Sequence, residues 1–152
     1  YLNVCKFRRK SDGKKANAMT ASWGGAGVLW NKNVFFCFVR PQRFTKEFCD
    51  ASDIITLSFF DEDKKDALKI CGSKSGRDCD MLALASLTPV IGDMGEVDYE
   101  ESIMTLVGRK LYAQELTADS FVDKSIIVKI FVIHNTVLHF FSIIYNTQKE
   151  TM

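Results

Sequence analysis

A chain of 152 residues has the length of one domain and can bury a core of its own. Its 47% hydrophobic and 26% charged residues are those of an ordinary globular protein, and 20 basic against 19 acidic residues leave a net charge of +1. That balance excludes a general electrostatic attraction to nucleic acid or to an anionic membrane, so basic residues can matter only locally. The five cysteines (Cys5, Cys37, Cys49, Cys71, Cys79) are odd in number, with no CxxC and no paired histidine spacing. They point away from a disulfide framework or a zinc site and toward reduced thiols in the cytoplasm. No secretory leader is expected from the first residues.

Residues 1–15 are mixed and basic, and Lys6, Arg8, Arg9, Lys10, Lys14 and Lys15 read as solvated surface. Asp12-Gly13 is a turn signal. The stretch from Ala16 to Gly25 alternates modest and polar side chains, then breaks into a glycine pair after Trp23. It reads as a strand ending in a tight turn, with room for a flat ligand against its backbone. Val34 to Val39 is a continuous apolar run, expected to be a strand buried on both faces and stopped at Arg40-Pro41. Thr45 is placed to cap a short helix that carries Phe48 and Cys49 inward.

Ile54 to Phe60 is the next expected strand. Asp61-Glu62-Asp63 opens a helix with acids in its first turn, which helix capping explains without a metal, and Gly72 closes it. Asp78 is expected to cap another short helix through Ser86, ended by Thr88-Pro89. Gly92 to Gly95 is a turn, and Tyr99 to Tyr112 a long strand with a bend or bulge at Gly108. Ile126 to Tyr145 is strongly apolar but carries Lys129, His134, Asn135, His139 and Ser142. Such side chains are costly inside a bilayer, so two strands broken near His134-Asn135 are expected in place of a membrane span. On that pattern His134 and His139 face opposite sides, which argues against a metal pair. Strands dominate without regular strand–helix alternation, which suggests an α+β arrangement: a mostly antiparallel barrel with short covering helices.

Four blocks stand in order: Met19-Thr20-Ala21-Ser22, Arg40-Pro41-Gln42-Arg43-Phe44-Thr45, Leu57-Ser58-Phe59-Phe60-Asp61, and Cys71-Gly72-Ser73-Lys74-Ser75-Gly76-Arg77-Asp78. Together they resemble the flavin reductase-like family of small FMN-binding split-barrel proteins, over about Ala16 to Asp123. Residues 1–15 and 126–152 match it poorly. The resemblance implies one split β-barrel domain over 1–152, bound FMN, NAD(P)H as a transient co-substrate, and a homodimer with flavin sites at the subunit interface. It implies neither a nucleic acid nor a membrane as partner, and the electron acceptor is left open.

FMN presents a phosphate, a ribityl chain and a flat ring. Arg43 and Thr45, with the helix beginning there, and the donor-rich turn of Ser73, Ser75, Gly76, Arg77 and Asp78 suit the phosphate. By the resemblance, the ring lies along Asn17, Met19, Thr20, Ala21, Ser22 and Trp23, beside Arg40, Pro41 and Gln42. Trp23 reads equally as core. No catalytic side chain is needed, since hydride passes to the flavin and the protein positions both rings. No Ser-His-Asp, Cys-His or paired-carboxylate set stands out, and Gly24-Gly25-Ala26-Gly27 lacks the spacing of a dinucleotide loop. Three readings follow: an NAD(P)H-dependent FMN oxidoreductase, a flavoredoxin-like electron carrier without nicotinamide activity, and a diverged inactive copy.

Overall fold

The computed structural model describes residues 3–8, 16–130 and 136–148. Its main body is a seven-stranded sheet built from β1 (Asn3–Arg8), β2 (Ala16–Ala21), β3 (Gly24–Leu29), β4 (Lys32–Val39), β5 (Ile54–Phe59), β8 (Met104–Glu115) and β9 (Val137–Gln148). A separate hairpin pairs β6 (Pro89–Ile91) with β7 (Val97–Tyr99). The order across the sheet is β2-β1-β5-β8-β9-β4-β3, and every pairing is antiparallel. Four short helices accompany it: α1 (Thr45–Ala51), α2 (Lys65–Ser73), α3 (Met81–Leu84) and α4 (Ser125–Ile130). This is the expected α+β, mostly antiparallel architecture with short covering helices. The sheet curls but does not close, because β2 and β3, its two ends, do not pair among the described residues.

The curl shows in the core. Met19 and Ala21 of β2 pack in one cluster with Phe35, Cys37 and Val39 of β4, Ile55 and Leu57 of β5, and Phe141 of β9. Phe48 and Cys49 of α1 plug the same cluster, as their spacing suggested. The opposite face of β2 turns Ala18 toward a second cluster with Ala67, Leu68 and Cys71 of α2, Met81 and Ala85 near α3, Leu87, and Tyr99 of β7. β2 is thus covered on both sides. β4 buries Val34, Phe35, Cys37 and Val39, while Phe36 and Phe38 on its outer face are only half-buried.

Several boundaries move from their expected places. The glycine pair lies inside β3, and the turn comes at Trp30 and Asn31, both with positive φ (53° and 55°). Two residues in that region suit the tight hairpin connection between β3 and β4. The space above the glycines is filled: a Cβ on Gly24 would overlap the Phe36 carbonyl, and one on Gly25 would lie 3.1 Å from the Phe36 ring. Gly72 does not end its helix, which runs to Ser73, and it lies 3.7 Å from the Thr20 side chain by the same measure. The acids at the other end do cap: Asp61 accepts from the Glu62 amide at 2.7 Å and opens a 3₁₀ turn (Glu62–Lys64) ahead of α2.

Asp80, not Asp78, caps α3, accepting from the amides of Leu82 and Ala83 at 3.1 Å. The helix ends at Leu84, ahead of Thr88-Pro89, and Pro89 instead begins β6. The expected strand from Tyr99 is divided because Asp98 accepts from the Tyr99 amide (2.7 Å), Ser102 Oγ (2.8 Å) and Thr105 Oγ1, fixing a turn before β8. The apolar tail opens with helix α4 and not with a strand. Asp123 accepts from the Ser125 amide at 2.9 Å, and the Ile126 and Ile127 amides reach the carbonyls of Asp123 and Lys124. This local capping overrides the β-propensity of the β-branched run. β9 is the strand expected of the tail's second half, whereas the break at His134-Asn135 lies outside the described residues. No helix among the described residues is long and apolar enough to cross a membrane.

Gly108 does mark a bulge, with the β8–β9 register shifting between Val107 and Gly108 and again between Lys110 and Tyr112. Its lack of a side chain also has a packing cause. A Cβ there would overlap the Phe35 ring, which stacks on Phe141 at 5.1 Å. Gly108→Ala is therefore expected to cost about 1–3 kcal/mol through overpacking. Urea unfolding checks this, and an unchanged midpoint would mean that the rings give way freely.

Candidate functional site

A cleft of about 90 Å³ opens where three separated segments meet: Asn17, Ala18 and Met19 of β2; Gln42, Arg43, Phe44 and Thr45 between β4 and α1; and Ser73, Lys74, Ser75 and Gly76 after α2. A water needs only roughly 10–15 Å³ on this measure, so there is room for a phosphate-sized group with part of a chain attached. Ala18 and Met19 bury their side chains in the two cores. β2 therefore meets the cleft mainly with backbone. As an end strand of the sheet it pairs with β1 on one side and with no other strand among the described residues.

Thr45 was expected to cap α1, but it is the helix's first residue, and Phe44 holds the capping position without a side-chain bond. The buried Thr45 hydroxyl instead accepts from Asn17 Nδ2 at 2.8 Å, tying β2 to α1. Gly76 lies so close that a Cβ would overlap Asn17 Oδ1 and come within 3.1 Å of the Phe44 ring. The same short contacts hold the third wall.

Arg43 donates to the Cys71 carbonyl at 2.9 Å, linking the second wall to α2. Burial, then the neighbouring Arg40 cation, lowers its pKa from the ordinary value. A guanidinium stays protonated through such a shift, so the cleft holds a half-buried, fixed positive charge. Arg77 does not line it. Its guanidinium donates to Glu47 Oε1 (2.5 Å) and the Gln42 carbonyl (3.1 Å) and lies 5.0 Å from the centre of the Phe44 ring. Ser75 Oγ accepts from the Arg77 amide at 3.2 Å. Arg77 thus clamps the Gln42–Glu47 segment to the turn after α2 and acts by position.

Of the residues singled out in the sequence, Asn17, Met19, Gln42, Arg43, Thr45, Ser73, Ser75 and Gly76 come together around this cleft. Thr20, Ala21, Ser22, Trp23, Arg40, Pro41, Arg77 and Asp78 lie outside its lining. Thr20 Oγ1 donates to the Leu68 carbonyl of α2 at 2.5 Å, and Ala21 is in the core. Trp23 is not core: it is 46% exposed at the end of β2. Arg40 and Pro41 form the turn in which the Arg43 amide returns to the Arg40 carbonyl (3.0 Å), and the Asp78 amide closes a second turn onto Ser75 (3.1 Å).

Sequence reading missed Ala18, Phe44 and Lys74. Lys74 is exposed on the rim and has no ion-pair partner among the described residues. Its place within the donor-rich turn between Ser73 and Ser75 was the available signal. Among the described residues, no group of three or more His, Cys, Asp and Glu side chains is placed to hold a metal ion.

No family model matches this chain, and no curated protein matches it. Solved structures do. Flavoredoxin from Methanosarcina acetivorans superposes with a TM-score of 0.77 at 17% identity, over 98% of this chain and 68% of its own. An FMN-binding protein from Thermus thermophilus gives 0.74 at 19% identity, over 98% and 71%. A protein from Shewanella frigidimarina, assigned as a flavin reductase with a split barrel domain, gives 0.77 at 14% identity, over 99% and 67%. The fold is that of the flavin-binding split-barrel proteins.

The Asn17–Thr45 bond is expected to hold the cleft walls together. Asn17→Ala leaves a buried hydroxyl without its donor and should cost about 1–3 kcal/mol. In a double-mutant cycle with Thr45→Val, a coupling of about 1 kcal/mol is expected from chemical denaturation. Strict additivity would show that the two side chains stand independently.

Proposed function

We propose that this protein binds FMN noncovalently, one per chain, and passes electrons from NAD(P)H through it to an acceptor. The observation that carries this reading is the meeting of Arg43, Lys74, Ser73 and Ser75 with the free edge of β2 in one cleft of a split-barrel fold. A fixed guanidinium, an ammonium and the Ser75 hydroxyl suit a phosphate dianion, and the cleft's size fits that end of the cofactor and not its ring. The ring is assigned to the β2 edge beyond the cleft, from Met19 toward Trp23, where an end strand of the sheet runs beside its polar rim and Trp23 offers an exposed aromatic face. Arg40, Pro41 and Gln42 shape the turn that presents Arg43.

Arg77 and Asp78 belong to the reading as residues that hold the second and third walls in place. When bound, FMN supplies a ring that accepts hydride and releases electrons, so the protein's part is to hold and orient it. A flavoredoxin-like carrier shares the same site, and steady-state oxidation of NADH or NADPH in the presence of FMN separates it from a reductase. The buried thiols of Cys37 and Cys49, in no disulfide among the described residues, support a reducing compartment, the cytoplasm.

The proposal includes a homodimer. Support comes from the outer face of β3, β4, β8 and β9, where Trp30, Phe36, Phe38, Tyr112 and Phe140 form a continuous chain of ring contacts at 5.5–6.4 Å between centroids. Phe140 is its hub, and Trp30 at one end is 60% exposed. An exposed aromatic surface of this kind fits a symmetric contact with a second copy. Light scattering is expected to give a dimer for the wild type and a monomer for Trp30→Glu. A monomeric wild type would remove the dimer from the proposal.

Isothermal titration tests the cofactor itself. FMN is expected to bind more tightly than riboflavin, because the cleft's donors are useful only to the phosphate. Arg43→Ala should weaken FMN by about 1.5–3 kcal/mol and leave riboflavin almost unaffected. Equal affinity for the two flavins would sink the reading.

A further inference from the structure

His139 lies in β9 with 1% of its surface exposed, and neither ring nitrogen has a hydrogen-bond partner among the described residues. A neutral imidazole has one donor and one acceptor, and here both are buried without a partner. Its ring stacks on Phe141 (5.9 Å between centroids, 18° between planes) and stands opposite Cys37 of β4 and Ala113 of β8.

The charges packed around it oppose a second positive one. From β8 comes Lys110, whose ammonium donates to the Cys49 carbonyl at 2.5 Å. From α1 come Lys46 and Asp50, paired with each other at 2.6 Å, so the nearby carboxylate is already engaged. The remaining titratable neighbours are the thiols of Cys37 on β4 and Cys49 on α1, and burial raises the Cys49 pKa well above its usual value. Burial first, then Lys110 and Lys46, lowers the His139 pKa to about 4.

The position of β9 gives this residue leverage. β4 pairs with β9 on one side and with the end strand β3 on the other, so among the described residues the ladder to β9 is the one that joins the β3–β4 hairpin to the rest of the sheet. β4 leads directly into the Arg40–Thr45 wall of the cleft.

We propose that His139 is an acid-sensitive latch on the β4–β9 seam: when the buried imidazole takes up a proton, the seam opens and the Arg40–Thr45 wall is released. A released ring titrates near the ordinary value of about 6.5 and a buried one near 4. The open state therefore binds more protons between those values. The seam is at full strength above pH 6.5 and weakens as pH falls toward 4, by on the order of a hundredfold in the opening equilibrium.

This inference does not depend on the flavin reading and is tested on the full chain without cofactor. Hydrogen exchange by mass spectrometry, corrected for intrinsic rates, is compared at pH 7 and pH 4.5. Segments 34–39 and 137–148 are expected to lose protection ahead of 54–59. Tryptophan fluorescence should change over the same pH range, since the Trp30 ring lies 6.2 Å from that of Phe140 on β9. His139→Phe keeps an aromatic stack but accepts no proton, and it should move the transition down by at least one pH unit. Uniform or absent loss of protection, or an unmoved transition in His139→Phe, overturns the latch. If that variant does not fold, carbon-13 titration of the wild-type ring decides. A ring titrating near pH 6.5 with the seam intact overturns the proposal, and a ring titrating together with seam opening supports it.

Discussion

The stack of Phe35 on Phe141 against the bare backbone of Gly108 is the contact on which the rest of the structure depends. It brings β4, β9 and β8 together at the point where the ladder bulges. One half of the sheet (β2, β1, β5, β8) carries the first wall of the cleft, and the other half (β4, β3) leads into the second. A bulge raises local twist, and twist lets an open sheet curl until Met19 of β2 reaches the same core as Val39 of β4. A β-branched or aromatic residue at Gly108 would satisfy strand propensity and prevent this approach.

The cleft is a consequence of that curl and of three short cross-links. Asn17 to Thr45 joins β2 to α1, Arg43 to the Cys71 carbonyl joins the β4–α1 turn to α2, and Arg77 to Glu47 and Phe44 joins α1 to the turn after α2. None of the three links neighbours in sequence. The exposed Arg77–Glu47 ion pair contributes little energy by itself, but the guanidinium's bond to the Gln42 carbonyl and its stacking on Phe44 give it a defined place. Positive charge inside the cleft thus falls to Arg43 and Lys74, while Arg77 works from behind. That division separates binding from support among residues that look alike in a basic motif.

The same architecture explains why polar groups are kept in the interior. Asp98 gathers Tyr99, Ser102 and Thr105 into a turn, its Oδ1 accepting from all three, which offsets the cost of burying it. His139 is the contrary case, a buried polar ring on β9 with its nitrogens unbonded among the described residues, tolerated while it is neutral.

The sequence by itself determined the class of the fold, the strands through Val34–Val39 and from Ile54 to within one residue of Phe60, the stop at Pro41, the bulge at Gly108, and most residues that meet in the cleft. These are local matters of apolar runs, backbone-restricting residues and motif spacing. Only the tertiary structure decided how the candidates are used. Thr45 answers Asn17 in place of its own helix, and Asp80 caps where Asp78 was expected because the chain turns once more before α3. Trp23 reaches the surface although its composition suits a core equally well. The glycine pair makes room for Phe36, a residue ten or more positions away along the chain. For Thr45 and for the glycine pair the partner is distant in sequence, and its approach depends on how a seven-stranded sheet curls, which no local pattern encodes.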